Sequence, residues 1–107
     1  MKRYIRTNFM ENSLHQANID AIEFFIEFEF PFPKGEFLAD DWKDLLDGVS
    51  MGIDSDFEVA EGIIEYLQKE VDFNNKHAEI YDEDPLANLT LEIYNDVKKE
   101  YRKAISY

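Results

Sequence analysis

Apolar residues recur every three or four positions in four stretches of the chain, which is the spacing of one face of an α-helix. The stretches begin near residues 13, 42, 56 and 85, and polar or turn-forming residues separate them. Their apolar positions are Ile19, Ile22 and Ile26; Trp42, Leu45, Leu46 and Val49; Phe57, Ala60, Ile64, Leu67 and Val71; and Leu86, Leu89, Ile93, Val97 and Tyr101. The pattern predicts four helices, which we expect to end near Glu29, Gly52, Asp72 and Ala104.

Residues that favour helix ends stand where the pattern starts and stops. An N-cap side chain accepts a hydrogen bond from a free backbone N–H, a left-handed glycine closes a helix, and proline fits the first helical position. The chain offers Asp40 or Asp41 before the second helix, Gly52 after it, the capping-box pair Ser55 and Glu58 before the third, and Asp84-Pro85 before the last. The helices are therefore predicted as separate elements.

Two stretches lack the helical spacing. In residues 26–37 apolar and polar positions alternate, and two prolines disfavour helix in the residues before them. The alternating residues are Phe28, Phe30 and Phe32, and the prolines are Pro31 and Pro33. This segment stays open between strand, helix and loop, while residues 73–83 are polar and irregular. The whole pattern predicts an all-α fold: a compact, four-helix bundle-like single domain over residues 1–107.

Acidic residues far outnumber basic ones. Among the 107 residues, 24 are Asp or Glu and 11 are Lys or Arg, which gives a formal charge of −13 at pH 7. Residues 38–85 hold fifteen of the acids and only three lysines, a net −12, so the charge is concentrated in the middle of the chain. Nucleic acids and anionic membranes bind basic patches, and we expect neither as a partner. A basic protein is the expected partner instead.

The acids of the second and third predicted helices form stripes. The stripe residues are Asp40, Asp44 and Asp47 on the second helix, and Glu58, Glu61, Glu65 and Asp72 on the third. The four on the third helix fall within about 60° of one another, on a flank of the seam of Phe57, Ile64 and Val71. Like charges one turn apart destabilise a helix by about 0.2–0.5 kcal/mol per pair. Two interpretations stay open: ordinary solvated faces, or faces whose repulsion a basic partner neutralises.

Residue types that carry catalysis or bind metals are scarce. The chain has no cysteine, and His15 and His77, its two histidines, belong to no ligand-spaced cluster and are expected on the surface. It has no glycine-rich phosphate loop and no Gly-x-Ser-x-Gly elbow. The acids between residues 54 and 65 imitate an EF-hand loop, but Val59 stands where that loop needs glycine. We therefore expect a protein that is not an enzyme, with no catalytic residue, metal or cofactor.

Further features bear on the compartment and the partner. The basic start at residues 1–6 is not followed by the apolar run of a signal peptide, and no stretch approaches the roughly 18 apolar residues of a membrane span. A cysteine-free chain also fits a reducing compartment, so we expect a cytoplasmic protein without membrane contact. Six of the nine phenylalanines lie in residues 24–37. Most are expected in the core, and an exposed one could anchor a partner.

Three local segments resemble the immunity proteins of colicin D-like tRNA-cleaving toxins, a family of small acidic helical inhibitors. The segment Ile19-Asp20-Ala21-Ile22-Glu23-Phe24 is similar to part of that family's first helix. The apolar helix from Ile63 to Asp72, followed by Tyr81-Asp82-Glu83-Asp84 before an amphipathic last helix, resembles the remainder. The likeness covers about half of the chain.

The resemblance implies an inhibitor that plugs a ribonuclease active site, with carboxylates standing where substrate phosphates would lie. The family's acidic contacts fall near the end of the third helix and in the following loop, where this chain has Glu65, Glu70, Asp72 and Glu79. Together with the acids already described, the expected partner-binding residues are Glu58, Glu61, Glu65, Glu70, Asp72, Glu79, Asp82 and Asp84.

The expected function is therefore an immunity protein that binds and neutralises a basic nuclease toxin, an RNase or tRNase before a DNase. A monomer is favoured. Two alternatives stay open. One is a phage- or plasmid-borne decoy that mimics nucleic acid and is directed at a defence enzyme. The other is a small helical adaptor whose charge only confers solubility and whose binding would be insensitive to salt.

Overall fold

Five α-helices make up the regular structure of residues 9–33 and 41–106, which are the residues that a computed structural model describes. In chain order they are α1 (Phe9–Glu27), α2 (Trp42–Ser50), α3 (Asp56–Lys76), α4 (Ile80–Glu83) and α5 (Pro85–Ile105). No β-strand occurs in these two ranges. The predicted all-α fold is confirmed. The four long helices are the predicted ones, and α4 is a single turn between two of them.

Helix α1 is the element that the other three long helices pack against. It packs against α2, α3 and α5, and α3 also packs against α5. The buried positions of α1 keep the spacing of one helix face, and they are Leu14, Ala17, Asn18, Ala21, Ile22, Phe24 and Phe25. Val49 of α2, Ile63 of α3 and Val97 of α5 meet this face in a common core. Each aliphatic side chain buried there stabilises the fold by about 1.5–3 kcal/mol relative to an exposed one.

Several helix boundaries differ from the prediction. Helix α1 begins at Phe9, a turn earlier than expected, and α5 ends one residue later at Ile105. Helix α3 continues past Asp72 to Lys76 because its packing face continues: Asn74 is only 3% exposed. Residues 73–83, expected to be irregular, therefore supply the end of α3, a turn and α4.

The predicted N-caps are present at three helices. Asp41 accepts a hydrogen bond from the Asp44 N–H at 3.0 Å and caps α2, while Asp40 lies outside the described residues. Ser55 accepts from the Glu58 N–H at 3.5 Å at the start of α3. The capping box there is only half formed, because within the described ranges no return bond joins the Glu58 carboxylate to Ser55. At α5, Asp84 accepts from the Leu86 N–H at 3.0 Å, with Pro85 at the first helical position.

Helix α2 ends in a Schellman motif, as the predicted glycine cap requires. The Ile53 N–H donates to the Gly48 carbonyl at 2.8 Å, and the Gly52 N–H donates to the Val49 carbonyl at 3.1 Å. This motif needs one residue in the left-handed backbone region, where a Cβ is strained. Gly52 fills that position with a φ of 75°.

Helix α1 ends in the same motif with a different residue at the left-handed position. The Phe30 N–H donates to the Phe25 carbonyl at 2.9 Å, and the Glu29 N–H donates to the Ile26 carbonyl at 3.3 Å. Here Glu29 carries the positive φ, 57°. The rings of Phe25 and Phe30 lie 5.1 Å apart and supply the apolar contact that accompanies the motif. The helix therefore ends at Glu27 and not at Glu29, because residue 29 already reverses the chain.

Residues 28–33 form a turn and then an extended chain, without pairing to a strand. Two side chains donate hydrogen bonds to two of its carbonyl groups instead. The indole Nε1–H of Trp42 donates to the Phe30 carbonyl at 2.8 Å, and the Tyr66 hydroxyl donates to the Pro31 carbonyl. An extended segment can thus leave the helices without a sheet, because its backbone acceptors find side-chain donors. The question left open for residues 26–37 is answered up to residue 33, and residues 34–37 lie outside the described part.

An aromatic cluster fills the space between this segment, α1, α2 and α3. The Trp42 ring lies 4.6 Å from that of Phe25, 4.8 Å from that of Phe32 and 5.5 Å from that of Tyr66. Phe24 and Phe25 are buried, and Phe30 and Phe32 are half-buried. Phe28 is 41% exposed, while Phe37 lies outside the described residues. The phenylalanine-rich stretch thus supplies both core and exposed aromatic surface.

Replacing Glu29 by glycine should raise the free energy of unfolding by about 1 kcal/mol, because glycine adopts the left-handed conformation without the strain of a Cβ. Denaturant unfolding followed by the fluorescence of Trp42, the one tryptophan of the chain, measures the change. Glu29→Gln is the matched control, since it removes the charge and keeps the Cβ.

The same comparison can be made at the end of α2. Gly52→Ala should lower the free energy of unfolding by about 1 kcal/mol, although no atom lies within 4 Å of the added Cβ. A Glu29→Gly variant no more stable than Glu29→Gln would contradict the interpretation of the α1 end.

Candidate protein-binding surface

Four acids of α3 form one outward-facing row, here called the α3 stripe: Glu58, Glu61, Glu65 and Asp72. All four are exposed. The opposite side of the helix is buried through Val59, Ala60, Ile63, Leu67, Val71 and Asn74. At 100° per residue the stripe is centred roughly 160° from that buried side, and it extends about 21 Å along the helix. The carboxylates are therefore presented on the face of α3 that is turned away from the core.

The predicted relation between stripe and core was wrong by about one helix position. Phe57 and Ile64 were expected in the apolar seam, but Phe57 is 36% exposed and Ile64 is half-buried, while Val59 and Ile63 are buried in their place. The reason is that α3 packs against α1 as well as α5, and Phe57 lies at the α5 side, 6.4 Å from the ring of Tyr101. The stripe consequently lies opposite the core and not on its flank.

The charge of the α3 stripe is not neutralised within the described part of the chain. The ion pairs found among residues 13–33 and 41–106 join His15 to Asp56 at 3.0 Å and Lys103 to Glu100 at 3.4 Å. Lys69 and Lys76 follow stripe acids at the favourable spacing of four residues, yet neither forms an ion pair in these ranges. Helix α3 carries six acids against two lysines. Its outward face therefore remains negative.

The members of the stripe differ in how firmly they are held. Glu61 accepts a hydrogen bond from the Tyr101 hydroxyl of α5, and this bond, with desolvation and the charge of Glu61, raises the pKa of Tyr101. Asp72 accepts one from the Gln68 amide at 2.9 Å on its own helix. Within the described ranges, no side chain is hydrogen-bonded to the carboxylates of Glu58 and Glu65. These two acids are the ones most available to a partner.

The other expected contact residues occupy different places. Glu70 is exposed but lies on another side of α3 from the stripe. Glu79 and Asp82 are exposed in the connection between α3 and α5. Asp84 is half-buried, and its carboxylate caps α5. The eight expected residues are thus not one continuous row: four form the stripe, two lie in the connection after α3, one faces a groove and one has a structural role.

The acids of α2 are likewise turned outward. Asp44 and Asp47 are exposed, whereas Trp42, Leu45 and Val49 are buried on the opposite face. The predicted third member, Asp40, lies outside the described residues. The α2 stripe therefore has the predicted orientation, but it is shorter than the α3 stripe over the described residues.

A groove that the sequence did not predict runs beside α3. It has a volume of about 420 Å³, and it lies between residues 28–31 and the α3 residues Tyr66, Leu67, Lys69 and Glu70. An adjoining hollow of about 290 Å³ shares Tyr66 and Lys69 and adds Pro33 and Glu65. We call the two together the aromatic groove. The cluster of phenylalanines was the sequence signal for this groove. The groove also needs Tyr66 to lie beside residues 28–33, and only the tertiary fold brings these residues together.

Tyr66 is the central residue of the aromatic groove. Its hydroxyl is bonded to the Pro31 carbonyl, and its ring lies 5.5 Å from that of Phe25. Burial raises the pKa of Tyr66 from 10.0 to about 12, and the negative charge of Glu70 adds to the rise. The phenol therefore keeps its proton for Pro31 above the pH at which an unperturbed tyrosine ionises.

The histidines are placed differently from each other. His77 is exposed at the end of α3, with its ring 4.6 Å from that of Phe73. His15, expected on the surface, is half-buried because its Nδ1 meets Asp56 at the start of α3. Beside it, the fully buried Asn18 donates to the Asp56 carbonyl at 2.9 Å. These contacts hold α1 against the first turn of α3, which is a structural role.

A second acidic hollow lies between α1 and α5 and was also not predicted. Its volume is about 370 Å³, and its acids are Asp20, Asp96 and Glu100. Within the described ranges, no group of three or more His, Asp or Glu side chains is arranged to hold a metal ion. Every helix in those ranges is too short or too polar to cross a bilayer.

No protein-family model, curated protein or solved structure matches the chain. The function must therefore be inferred from the chain's own residues. The features available are the exposed α3 stripe, the acids of α2 and of the connection after α3, and the aromatic groove.

The raised pKa of Tyr66 predicts a specific alkaline sensitivity. Because the folded chain holds the neutral phenol, this contribution to stability is complete below pH 10 and is lost as the pH rises through about 12. The free energy of unfolding should therefore fall more steeply above pH 10 in the wild type than in Tyr66→Phe.

Denaturant unfolding at a series of alkaline pH values measures the two slopes. At neutral pH, Tyr66→Phe should already be less stable by about 1 kcal/mol, because the Pro31 carbonyl loses its donor. Tyr81→Phe is the matched control, since it removes the hydroxyl of another half-buried tyrosine, one that donates to the Asn75 side chain and not to a backbone carbonyl. Parallel curves for the wild type and Tyr66→Phe would contradict the assignment.

Proposed function

We propose that this chain is an immunity protein, a non-enzymatic inhibitor that binds a basic nuclease toxin and blocks its active site. The observation that carries the proposal is the α3 stripe, whose carboxylates are exposed, face away from the core and have no ion-pair partner in the described residues. A basic partner would remove the repulsion along the stripe. Relief of this repulsion therefore adds to the free energy of binding.

The chemistry of a nuclease active site supports this choice of partner. Such a site must hold the phosphates of its substrate, which it does with lysine and arginine side chains and other hydrogen-bond donors. Carboxylates can accept hydrogen bonds from the same donors. Along α3, stripe acids one turn apart have Cβ atoms about 5–6 Å from each other, so several can enter one cationic cleft together. The inhibitor would then occupy the substrate site without being cleaved.

The packing of α3 suits an inhibitor in a second respect. The helix is held on its opposite side by α1 and α5, and the Tyr101–Glu61 and Gln68–Tyr94 hydrogen bonds join α3 to α5. The stripe is thus presented on a helix that has already folded. Little backbone order has to be gained on binding, which preserves affinity.

The sequence resemblance supports the choice of target. The segments that resemble immunity proteins of tRNA-cleaving toxins include the Ile63–Asp72 part of α3 and residues 81–84. We therefore propose an RNase, and specifically a tRNase, as the target. The inhibitor would act in the cytoplasm, where tRNA is cleaved, and Glu79 and Asp82 would extend the contact beyond the end of α3.

Capture of candidate toxin domains tests the proposal directly. The purified chain should bind a basic nuclease domain at about 50 mM salt, bind it more weakly at about 500 mM, and stop its cleavage of tRNA in vitro. Binding that ignores salt and leaves cleavage unchanged would favour the adaptor alternative. Inhibition of a DNA-cleaving defence enzyme, with no effect on any tRNase, would favour the decoy.

Charge reversal on the stripe gives a residue-level prediction. The double variant Glu58→Lys with Asp72→Lys should slow association with the nuclease about tenfold or more at low salt, because both substitutions turn an attractive charge into a repulsive one. Stopped-flow or surface-based binding kinetics measures the rate. Glu61 is left unchanged because its bond to Tyr101 joins α3 to α5, and Glu65 is left unchanged because it also lines the aromatic groove. The bond that Asp72 accepts from Gln68 stays within α3.

The matched control is Glu23→Lys with Glu27→Lys, two exposed acids of α1 whose reversal changes the net charge by the same amount. It should slow association much less than the stripe variant. Equal slowing by both pairs would mean that net charge, and not the α3 stripe, governs binding. Unchanged helicity of both variants by circular dichroism completes the comparison.

A further inference from the structure

We propose that the aromatic groove binds an arginine side chain of the basic partner, beside the α3 stripe. The inference rests on the proposed function in that it identifies a second contact with the same protein. It concerns a different surface, built from the chain after α1 and from the side of α3 that carries Tyr66 and Glu70. The stripe supplies charge alone, whereas the groove adds aromatic rings.

The aromatic walls of the groove are fixed before any partner arrives. The Phe28 ring lies 5.0 Å from that of Phe24, and yet 41% of Phe28 is exposed. Tyr66 is held by its bond to the Pro31 carbonyl and by its contact with the Trp42 ring at 5.5 Å. Rings that are already ordered lose little entropy on binding. Exposed aromatic rings of this kind are typical of interface anchors.

The charges around these rings select a cation. Glu29 and Glu70 line the groove and Glu65 lines the adjoining hollow, against one lysine, Lys69, so the net charge of the lining is negative. The influence of Glu70 on the pKa of Tyr66 is consistent with its carboxylate lying near the ring. An anionic ligand would meet three carboxylates. A cation would meet them together with aromatic faces.

Arginine fits this combination better than lysine. Its guanidinium is planar, stacks on aromatic rings and can bind a carboxylate through two parallel hydrogen bonds. The compact ammonium of lysine is more strongly hydrated and offers no flat surface for stacking. A volume of about 420 Å³ is ample for one guanidinium and part of its chain. The groove therefore adds specificity for arginine to the general attraction of the stripe.

A peptide titration tests the inference on the intact chain. The probe is an acetylated, amidated glycine peptide with a single central arginine, added to nitrogen-15-labelled protein and followed by NMR. Backbone signals of residues 28–30 and 66–70 should shift, and a peptide with lysine in place of arginine should shift them less. A peptide with glutamate in that place should not bind.

Substitutions in the groove should change peptide affinity in both directions. Phe28→Ala and Glu70→Gln should each weaken arginine-peptide binding about threefold, by removing a ring or a charge. Lys69→Gln should strengthen it, because it removes the competing cation. Glu23→Gln, an exposed acid of α1, is the control and should change nothing.

Three results would overturn the inference. The lysine peptide could bind as tightly as the arginine peptide, or the shifted signals could belong only to the α3 stripe. The third is that Phe28→Ala and Glu70→Gln both leave the affinity for the arginine peptide unchanged. Its failure can be distinguished from failure of the proposed function. If the nuclease binds but Phe28→Ala and Glu70→Gln leave its affinity unchanged, the groove assignment fails and the inhibitor role stands. If the arginine peptide binds as described but no nuclease does, the proposed function fails and the groove remains an arginine site.

Discussion

Two hydrogen bonds from aromatic side chains to consecutive backbone carbonyls, Trp42 to Phe30 and Tyr66 to Pro31, hold this structure in its particular form. The chain leaves α1 at a sharp reversal and then has no strand to pair with in the described residues. Without these donors its carbonyls would need water, and the segment would not have to stay beside α2 and α3. Because the donors are themselves part of the aromatic cluster, the core and the course of residues 28–33 are determined together.

Charge has little part in holding the molecule together. The core is built from aliphatic and aromatic residues, and most acids of the described ranges are in no ion pair there. Exposed acids of this kind contribute little to stability, so folding does not determine how many there are or where they lie. Folding constrains the residue types least on the face of α3 that is turned away from α1 and α5. The proposed contact with a basic partner would use this separation between an uncharged interior and an acidic exterior.

Local signals in the sequence predicted the features that depend on neighbouring residues, such as helix ends. They failed for features that depend on contacts between residues distant in the chain. Asp84-Pro85 and Gly52 marked helix ends correctly because capping is a matter of a few consecutive residues. The prediction placed the acids of α3 on one face but put that face beside the apolar seam and not opposite it. The reason is that α3 packs against both α1 and α5, and together they determine which residues of α3 are buried. The aromatic groove could not be predicted, because it joins Phe28 to Tyr66 across the fold. The turn at Glu29 was missed because glutamate gives no signal for a left-handed backbone.

In the proposed arginine site, the position of Glu29 sets stability and recognition against each other. Its backbone conformation would suit glycine, while its side chain contributes a negative charge to the aromatic groove. Selection for heat resistance alone would drift toward glycine there, whereas selection for partner affinity would retain the acid. A chain released from the proposed partner would therefore lose the requirement for an acid at this site, and glycine there would no longer be selected against.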